Sequence, residues 1–288
     1  MSCVYSILKK IIFLFFVFCC LNFIFLNINL YFFSVLSVFS FFKLLLVFLI
    51  FTIVIATITL VERKVLALVQ RRVGPNYIGH KGRLQFIADA LKLLVKHIHV
   101  LSNVSRLLFV LIPALILITS YLFWVNLIWA PNLSLCEIEY NLFLMGLISG
   151  VFSYLLILVG WLTNNKYSIL AANRVVVMSL NLEILLNFLI LTLIIFSESL
   201  SFFQIVAIQD NYHWNIALFL PILPVLIIIF LLETGRIPFD LAEAESELIA
   251  GYTTEFGGFF FALFYLGEYF HLYCFSVVYT LILIGGWN

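Results

Sequence analysis

Residues 41–61 read FFKLLLVFLIFTIVIATITLV, a run that carries one charge, Lys43, and is long enough to cross a bilayer as helix. Apolar runs of this kind recur at roughly 11–30, 41–61, 107–129, 142–162, 175–196, 216–232 and 256–284. None shows the polar–apolar alternation that the strand of an outer-membrane barrel requires. In lipid every backbone N–H and C=O has to pair within its own segment. Helices are therefore expected even where Phe, Ile, Val and Thr, strand formers in water, dominate. The fold class that follows is all-α, a polytopic transmembrane helical bundle, and 65% hydrophobic against 10% charged residues lies outside the range of soluble domains. The last run is long enough for one span to about Ser276 and then a turn or short hairpin ending at Gly285-Gly286-Trp287. No linker rich in Pro, Gly and Ser divides the chain, and no internal repeat is evident.

The formal net charge is +1, but the signs are segregated along the sequence. From Glu62 to Arg106 the connection between two runs holds nine of the fifteen Lys and Arg residues and only two acids. This loop is expected on the side that retains positive charge. Threading seven spans alternately places Lys9, Lys10, Lys166, Arg174 and Arg236 on that same side. The opposite connections, near 132–141 and 197–215, contain no Lys or Arg, and Lys43 is the exception. Within the basic loop, RRVGPN and GHKG place Gly74, Pro75, Asn76, Gly79 and Gly82 where tight backbone geometry is needed. Leu84, Ile87, Ala88, Leu91, Leu94 and Val95 then form nearly a helical stripe, which predicts an interfacial amphipathic helix over 84–96. Such a loop serves as an anchor on anionic phospholipid or as a docking surface for a peripheral partner, with Arg63, Arg71 and Arg72 near the end of a span. Nucleic acid is not an expected partner, because the cations lie beside membrane spans.

Cys3, Cys19, Cys20, Cys136 and Cys274 include no C-x-x-C spacing, so neither a disulfide framework nor a metal cluster is expected. The N-terminal MSCVYSILKK precedes an apolar run without a small-residue cleavage site and is expected to be retained. Heavy use of Phe, Ile, Asn and Tyr matches the bias of AT-rich coding sequences, which organelle genomes often show.

Against this background residues 233–256, ETGRIPFDLAEAESELIAGYTTEF, hold six carboxylates and a single cation, Arg236. Pro238 stops a preceding helix, and Asp240 with Glu243 has the spacing of an N-cap and capping box. The spacing predicts a short helix from Leu241 to about Ala250, ended by Gly251. Glu243 and Glu247 share a face and repel, so a purely structural helix gains nothing from them. A solvated acidic loop is the plain alternative, but these acids stand between two spans, and Glu255 and Glu268 continue into the next one. Glu183, in NRVVVMSLNLEILLNF, lies inside a span, where a charged, unpaired carboxylate costs several kcal/mol and usually marks a proton or ion route. Asn181 and Asn187 are its candidate hydrogen-bond partners. Haem ligation is not supported, since His80, His97 and His99 are in the basic loop, His213 is in a connection and His271 is alone. No P-loop and no Ser/His/Asp arrangement is present.

Two segments, VERKVLALVQRRVGPNYIGHKGRLQFIADALKLLVK and LLETGRIPFDLAEAESELIAGYTTEFGGFFFALFYLGEY, resemble the signature stretches of the subunit 1 family of respiratory complex I, the proton-pumping NADH:ubiquinone oxidoreductase. With GWLTNNKYSILAANRVV in order between them, the resemblance covers about residues 41–287. It implies a domain at 41–288 preceded by an extension, 1–40, that carries an additional candidate span. It also implies a place in the mitochondrial inner membrane with the basic loop on the matrix side. The resemblance implies a quinone chamber to which Glu62, Arg63, Arg72, Asp89, Arg236, Phe239, Asp240, Glu243, Glu245 and Glu247 contribute. It assigns Glu183, Glu233, Glu255 and Glu268 to proton transfer, with no metal site in the chain.

Ubiquinone is then the substrate, nothing is covalently bound, and FMN and Fe-S clusters belong to partner subunits. Those partners are the other membrane and hydrophilic-arm subunits of complex I, phospholipid, and a separate polypeptide that supplies the two spans the family pattern carries beyond LILIGGWN. Gly235 and Phe256 stand where the family has Asn and Tyr, and His97 stands where it has Glu. On this reading the acids cluster because quinone reduction is coupled to protons, which crowded carboxylates bind near neutral pH. The residues by themselves leave a secondary transporter or cation channel using intramembrane Glu residues as the alternative, without the paired broken helices that such folds commonly show. A purely structural membrane anchor has no need of the acids.

Overall fold

The computed structural model describes residues 35–98, 104–129, 139–211, 214–236, 239 and 251–287, with side chains described from Leu44 onward. The expected span at 11–30, the capping helix at 241–250 and four of the five cysteines lie outside these residues; the fifth, Cys274, is a buried free thiol. Nine α-helices are formed among the described residues: α1 (Val35–Val69), α2 (Gln85–Val95), α3 (Arg106–Val125), α4 (Asn141–Thr163), α5 (Lys166–Ser197), α6 (Phe202–Asn211), α7 (Asn215–Leu218), α8 (Leu223–Glu233) and α9 (Phe259–Ile284). Five of these, α1, α3, α4, α5 and α9, are long and apolar enough to span a membrane. Ser and Thr hydroxyls along them donate to carbonyls of the preceding turn, as an apolar surrounding favours. Thr52 and Thr57 of α1 donate to the carbonyls of Leu49 and Val54 at 2.8 and 2.7 Å, and Ser120 of α3 donates to Leu117 at 2.9 Å.

The chain divides into two compact units. The first comprises the residues up to His99 together with Phe256–Leu266. Here the basic loop leaves α1 through Arg71, at φ 53°, and is fastened back on it by Lys64, whose Nζ donates to the Lys81 carbonyl at 2.6 Å. Gly82 requires its lack of a side chain twice over. Its φ is +73°, and a Cβ would fall 2.1 Å from the Pro75 carbonyl oxygen. The expected amphipathic helix is present as α2, with Ile87, Leu91 and Val95 exposed along it.

The second unit comprises Val100–Glu255 and Gly267–Asn288. Its centre is the α4–α5 hairpin, turned by Asn164 at φ 53° and closed where a Cβ on Gly160 would lie 2.4 Å from the Ala172 Cβ. Small residues let helix backbones approach in lipid, where packing rather than water exclusion holds helices together. Thr163 and Ser168 share a hydrogen bond of 2.5 Å across the same turn. α5 therefore begins at Lys166, nine residues before the run predicted at 175–196. Lys166 and Arg174 stand in its first turns and not in a loop. At about 1.5 Å per residue α5 is near 48 Å long, more than the ~30 Å hydrocarbon core.

Two further expectations are corrected. The run at 216–232 is not one span: α7 and α8 are separated at Phe219–Ile222, and the 11 residues of α8 reach only about 16 Å. Pro221 lies in the break and Pro224 in the first turn of α8. Proline lacks the N–H that a helix interior needs and is best accommodated at a helix start. Phe219 and Leu226 pack on Leu193 of α5, with Tyr279 and Ile282 of α9 beside them. The run at 256–284 is one helix without a turn after Ser276. Its last carbonyls are capped by side chains: Gln209 donates to Leu281 and Ile282 at 3.2 and 2.9 Å, and Asn215 donates to Ile282 at 3.0 Å.

Candidate functional site

Helical spacing sets the first element of the site. Gly146, Gly150 and Ser153 lie on one face of α4, and Ser179, Glu183 and Asn187 on one face of α5. The two faces meet along a cleft of about 750 Å³ that all six line, together with Tyr154 and apolar residues. The glycines make the room: a Cβ on Gly150 would be 3.4 Å from Glu183 Oε1, and one on Gly146 would be 3.2 Å from Asn187 Oδ1. Ser153 Oγ donates to Glu183 Oε1 at 3.0 Å. The expected amide partners on Glu183's own helix do not fill that role. Asn181 is exposed, and Asn187 lines the cleft one turn further on without a hydrogen bond to Glu183 among the described residues.

Glu233 ends α8 with its side chain 11% exposed, facing His271 of α9, which is 5% exposed. The separation of Glu233 Oε1 and His271 Nε2 is 3.8 Å, too long for a hydrogen bond. The imidazole is fixed by aromatic rings, stacked on Phe152 at 4.2 Å and edge-on to Phe123 at 4.9 Å. Glu183 and Glu233 are close enough to repel one another, and Tyr279 lies within the field of Glu233.

The two remaining acids are held by residues before and within the second connection. Asn165 Nδ2 donates to Glu255 Oε1 at 2.7 Å, while the same side chain caps α5 by accepting from the Tyr167 N–H at 3.3 Å. The Tyr252 hydroxyl, on the 3₁₀ turn Gly251–Thr253, donates to Glu268 Oε1. Glu183, Glu233, Glu255 and Glu268 thus all belong to the second unit, and each has a polar neighbour with an exchangeable proton. Hydroxyl and imidazole groups beside carboxyls inside an apolar bundle provide places where a proton can be held and passed on, and an amide donor holds its carboxyl in position. Ser153, Asn165, Tyr252 and His271 were not singled out from sequence. Only His271 carried a signal, being a titratable group in an apolar run three residues after Glu268.

The residues assigned to quinone binding fall in both units. In the first, Arg63 at the end of α1 pairs with Asp89 of α2 at 2.5 Å, with side chains 51% and 36% exposed, and Gln85 Nε2 donates to Asp89 Oδ1 at 3.1 Å. Glu62 is half-buried on α1, and Arg72 is exposed just beyond it. In the second, the Arg236 guanidinium lies 5.2 Å from the centre of the Tyr269 ring, and the Phe239 N–H donates to the Arg236 carbonyl at 2.8 Å. Asp240, Glu243, Glu245 and Glu247 lie outside the described residues.

The family model described as NADH dehydrogenase matches residues 42–288. The chain is 49% identical over 237 residues to NADH-ubiquinone oxidoreductase chain 1 of Paramecium tetraurelia, which covers 82% of this chain and 90% of that protein. It is 39% identical over 234 residues to the H subunit of the NADH-quinone oxidoreductase of Rickettsia bellii, over 81% of this chain and 69% of that one. The corresponding protein of Rickettsia canadensis is equally similar, at 39% over 234 residues.

Proposed function

Since the chain belongs to the NADH dehydrogenase family, in its subunit 1 type, we propose that it forms the membrane-side part of a ubiquinone chamber and couples quinone reduction to proton translocation. It is a multi-pass membrane subunit of an NADH:quinone oxidoreductase and acts within a multi-subunit complex. Reduction of a quinone takes up two electrons and two protons. The electrons arrive from an iron–sulfur cluster in a hydrophilic-arm partner, where FMN is also held, and this chain contributes the acids. Glu62, Arg63, Arg72, Asp89, Arg236, Phe239, Asp240, Glu243, Glu245 and Glu247 line the chamber, and Glu183, Glu233, Glu255 and Glu268 carry protons from it into the membrane domain formed by residues 41–288. The proposed setting is the mitochondrial inner membrane, with the basic loop toward the matrix and in contact with phospholipid.

The observation that supports this reading best is the set of four carboxyls in an apolar bundle, each beside a hydroxyl, amide or imidazole. A solvated acidic surface has no use for such neighbours. The family match removes the support for a transporter or channel. Purification in mild detergent tests the proposal: the chain is expected to co-migrate with flavin- and iron–sulfur-containing subunits in a quinone-reducing, proton-pumping complex. A stable, transport-active homo-oligomer of this chain alone overturns it.

A further inference from the structure

His271 is a buried titratable group of the second unit that the resemblance does not assign. Its ring is held between Phe152, parallel at 4.2 Å, Phe123, edge-on at 4.9 Å, and Phe275, tilted at 4.7 Å, so the direction of its nitrogens is fixed by packing. Nε2 is buried and makes no hydrogen bond, an arrangement that costs stability and calls for an explanation. The carboxyl it faces is that of Glu233, 3.8 Å away and itself buried. That gap is too narrow for a bridging water and about 1 Å too wide for a hydrogen bond, so a small side-chain movement opens or closes it. The other elements packed on the ring, α3 and α4, present Phe123 and Phe152 to it. Of the other titratable groups, Glu183 acts on Glu233, Tyr279 lies within the field of Glu233, and Glu268 and Cys274 stand three residues before and after His271 on α9.

We propose that His271 is a proton-holding partner of Glu233: the carboxyl proton of Glu233 passes to Nε2 of His271 when the gap closes and returns when it reopens. The inference rests on the reading of Glu233 as a proton carrier. In the transfer the O–H bond of Glu233 breaks and an N–H bond forms on His271, leaving a carboxylate beside an imidazolium. The net charge of the pair does not change, so the step avoids creating an isolated charge in an apolar interior. Glu183 then meets a carboxylate that has a cation at its side, which offsets their mutual repulsion. A carboxyl without this neighbour would have to release its proton against both the apolar surroundings and Glu183.

The test uses the assembled complex in sealed vesicles, with His271→Phe, which keeps the aromatic stack, His271→Gln, which keeps a polar side chain but cannot take up a proton, and Glu233→Gln. NADH oxidation with ferricyanide reports electron entry and assembly. Quinone-linked proton uptake and the infrared C=O band that Glu233→Gln abolishes report the pair. Both His271 variants are expected to keep electron entry, to slow proton translocation about tenfold or more, and to shift the Glu233 band. An unshifted band in His271→Gln, or normal translocation in either His271 variant while Glu233→Gln is impaired, overturns the role of His271 and leaves the proposed function standing. Normal translocation in Glu233→Gln itself removes the premise, and with it the proton role given to Glu233.

Discussion

Ser153 Oγ donates to Glu183 Oε1 at 3.0 Å, from a helix face on which a Cβ at Gly150 would touch the same carboxyl oxygen at 3.4 Å. A carboxyl in the middle of a span is thereby held by its neighbour helix and opens on a cleft between α4 and α5.

The Ser153 contact and the Gly150 space have separable consequences. Ser153→Ala removes one donor and is expected to lower thermal stability by about 1 kcal/mol while slowing quinone-linked proton translocation several-fold. Gly150→Val crowds the carboxyl directly and is expected to cost about 1–3 kcal/mol. Melting curves of the detergent-solubilised complex and proton-to-electron ratios in vesicles check both. Translocation unchanged in Ser153→Ala would mean that the hydroxyl is merely packed there.

Asn165 serves the fold and the site with different atoms, which one pair of substitutions separates. Asn165→Ser retains an N-cap oxygen but cannot reach Glu255, whereas Asn165→Ala loses both. The serine variant is expected to stay within about 0.5 kcal/mol of the parent, and the alanine variant to lose about 1 kcal/mol more. Both are expected to show the same translocation defect. Normal pumping by the serine variant would confine Asn165 to its capping role.

How much of this was legible depended on how unusual each residue is in its surroundings. A carboxylate in an apolar run is anomalous at sight, so Glu183, Glu233, Glu255 and Glu268 stood out. Ser153, Asn165 and Tyr252 are ordinary residues, 30, 90 and 16 positions from the acids they touch, and only folding associates them. The same contrast holds for the helices. Their existence followed from the length of the apolar runs, and α2 from its stripe. The start of α5 was missed because Ser168, Ala171 and Ala172 read as a polar or neutral connection, whereas the small size of Ala172 is what lets this turn of α5 pack on Gly160. The break between α7 and α8 was marked by Pro221 and Pro224, a local signal that hydropathy outweighed.

The Arg63–Asp89 pair joins the end of α1 to α2 across 2.5 Å, yet both side chains are substantially exposed. Exposed pairs contribute about 0–1 kcal/mol and weaken with salt, so stability alone gives little reason for it. Asp89→Asn is therefore expected to leave the melting temperature nearly unchanged. If the pair borders the quinone chamber, the same variant raises the apparent KM for quinone several-fold, and Arg72→Met does likewise without loss of assembly. Steady-state kinetics with a short-tailed quinone decides, and unchanged KM values in both variants would withdraw these residues from the chamber.

Tyr252 is 3% exposed, so Tyr252→Phe keeps its packing and deletes only the hydroxyl that donates to Glu268. A hydrogen bond to a charged group contributes about 1.5–3 kcal/mol, and one to a neutral carboxyl less, so the measured loss of stability reports which form of Glu268 the hydroxyl meets. Glu268→Gln retains an acceptor for Tyr252 but cannot carry a proton. If Glu268 lies on the proton route, the glutamine variant is expected to stop translocation with little loss of stability. The phenylalanine variant, in contrast, slows translocation and destabilises together, and ferricyanide-linked NADH oxidation stays normal in both. A glutamine variant that pumps normally would make the Tyr252–Glu268 contact a structural tie between the 3₁₀ turn and α9.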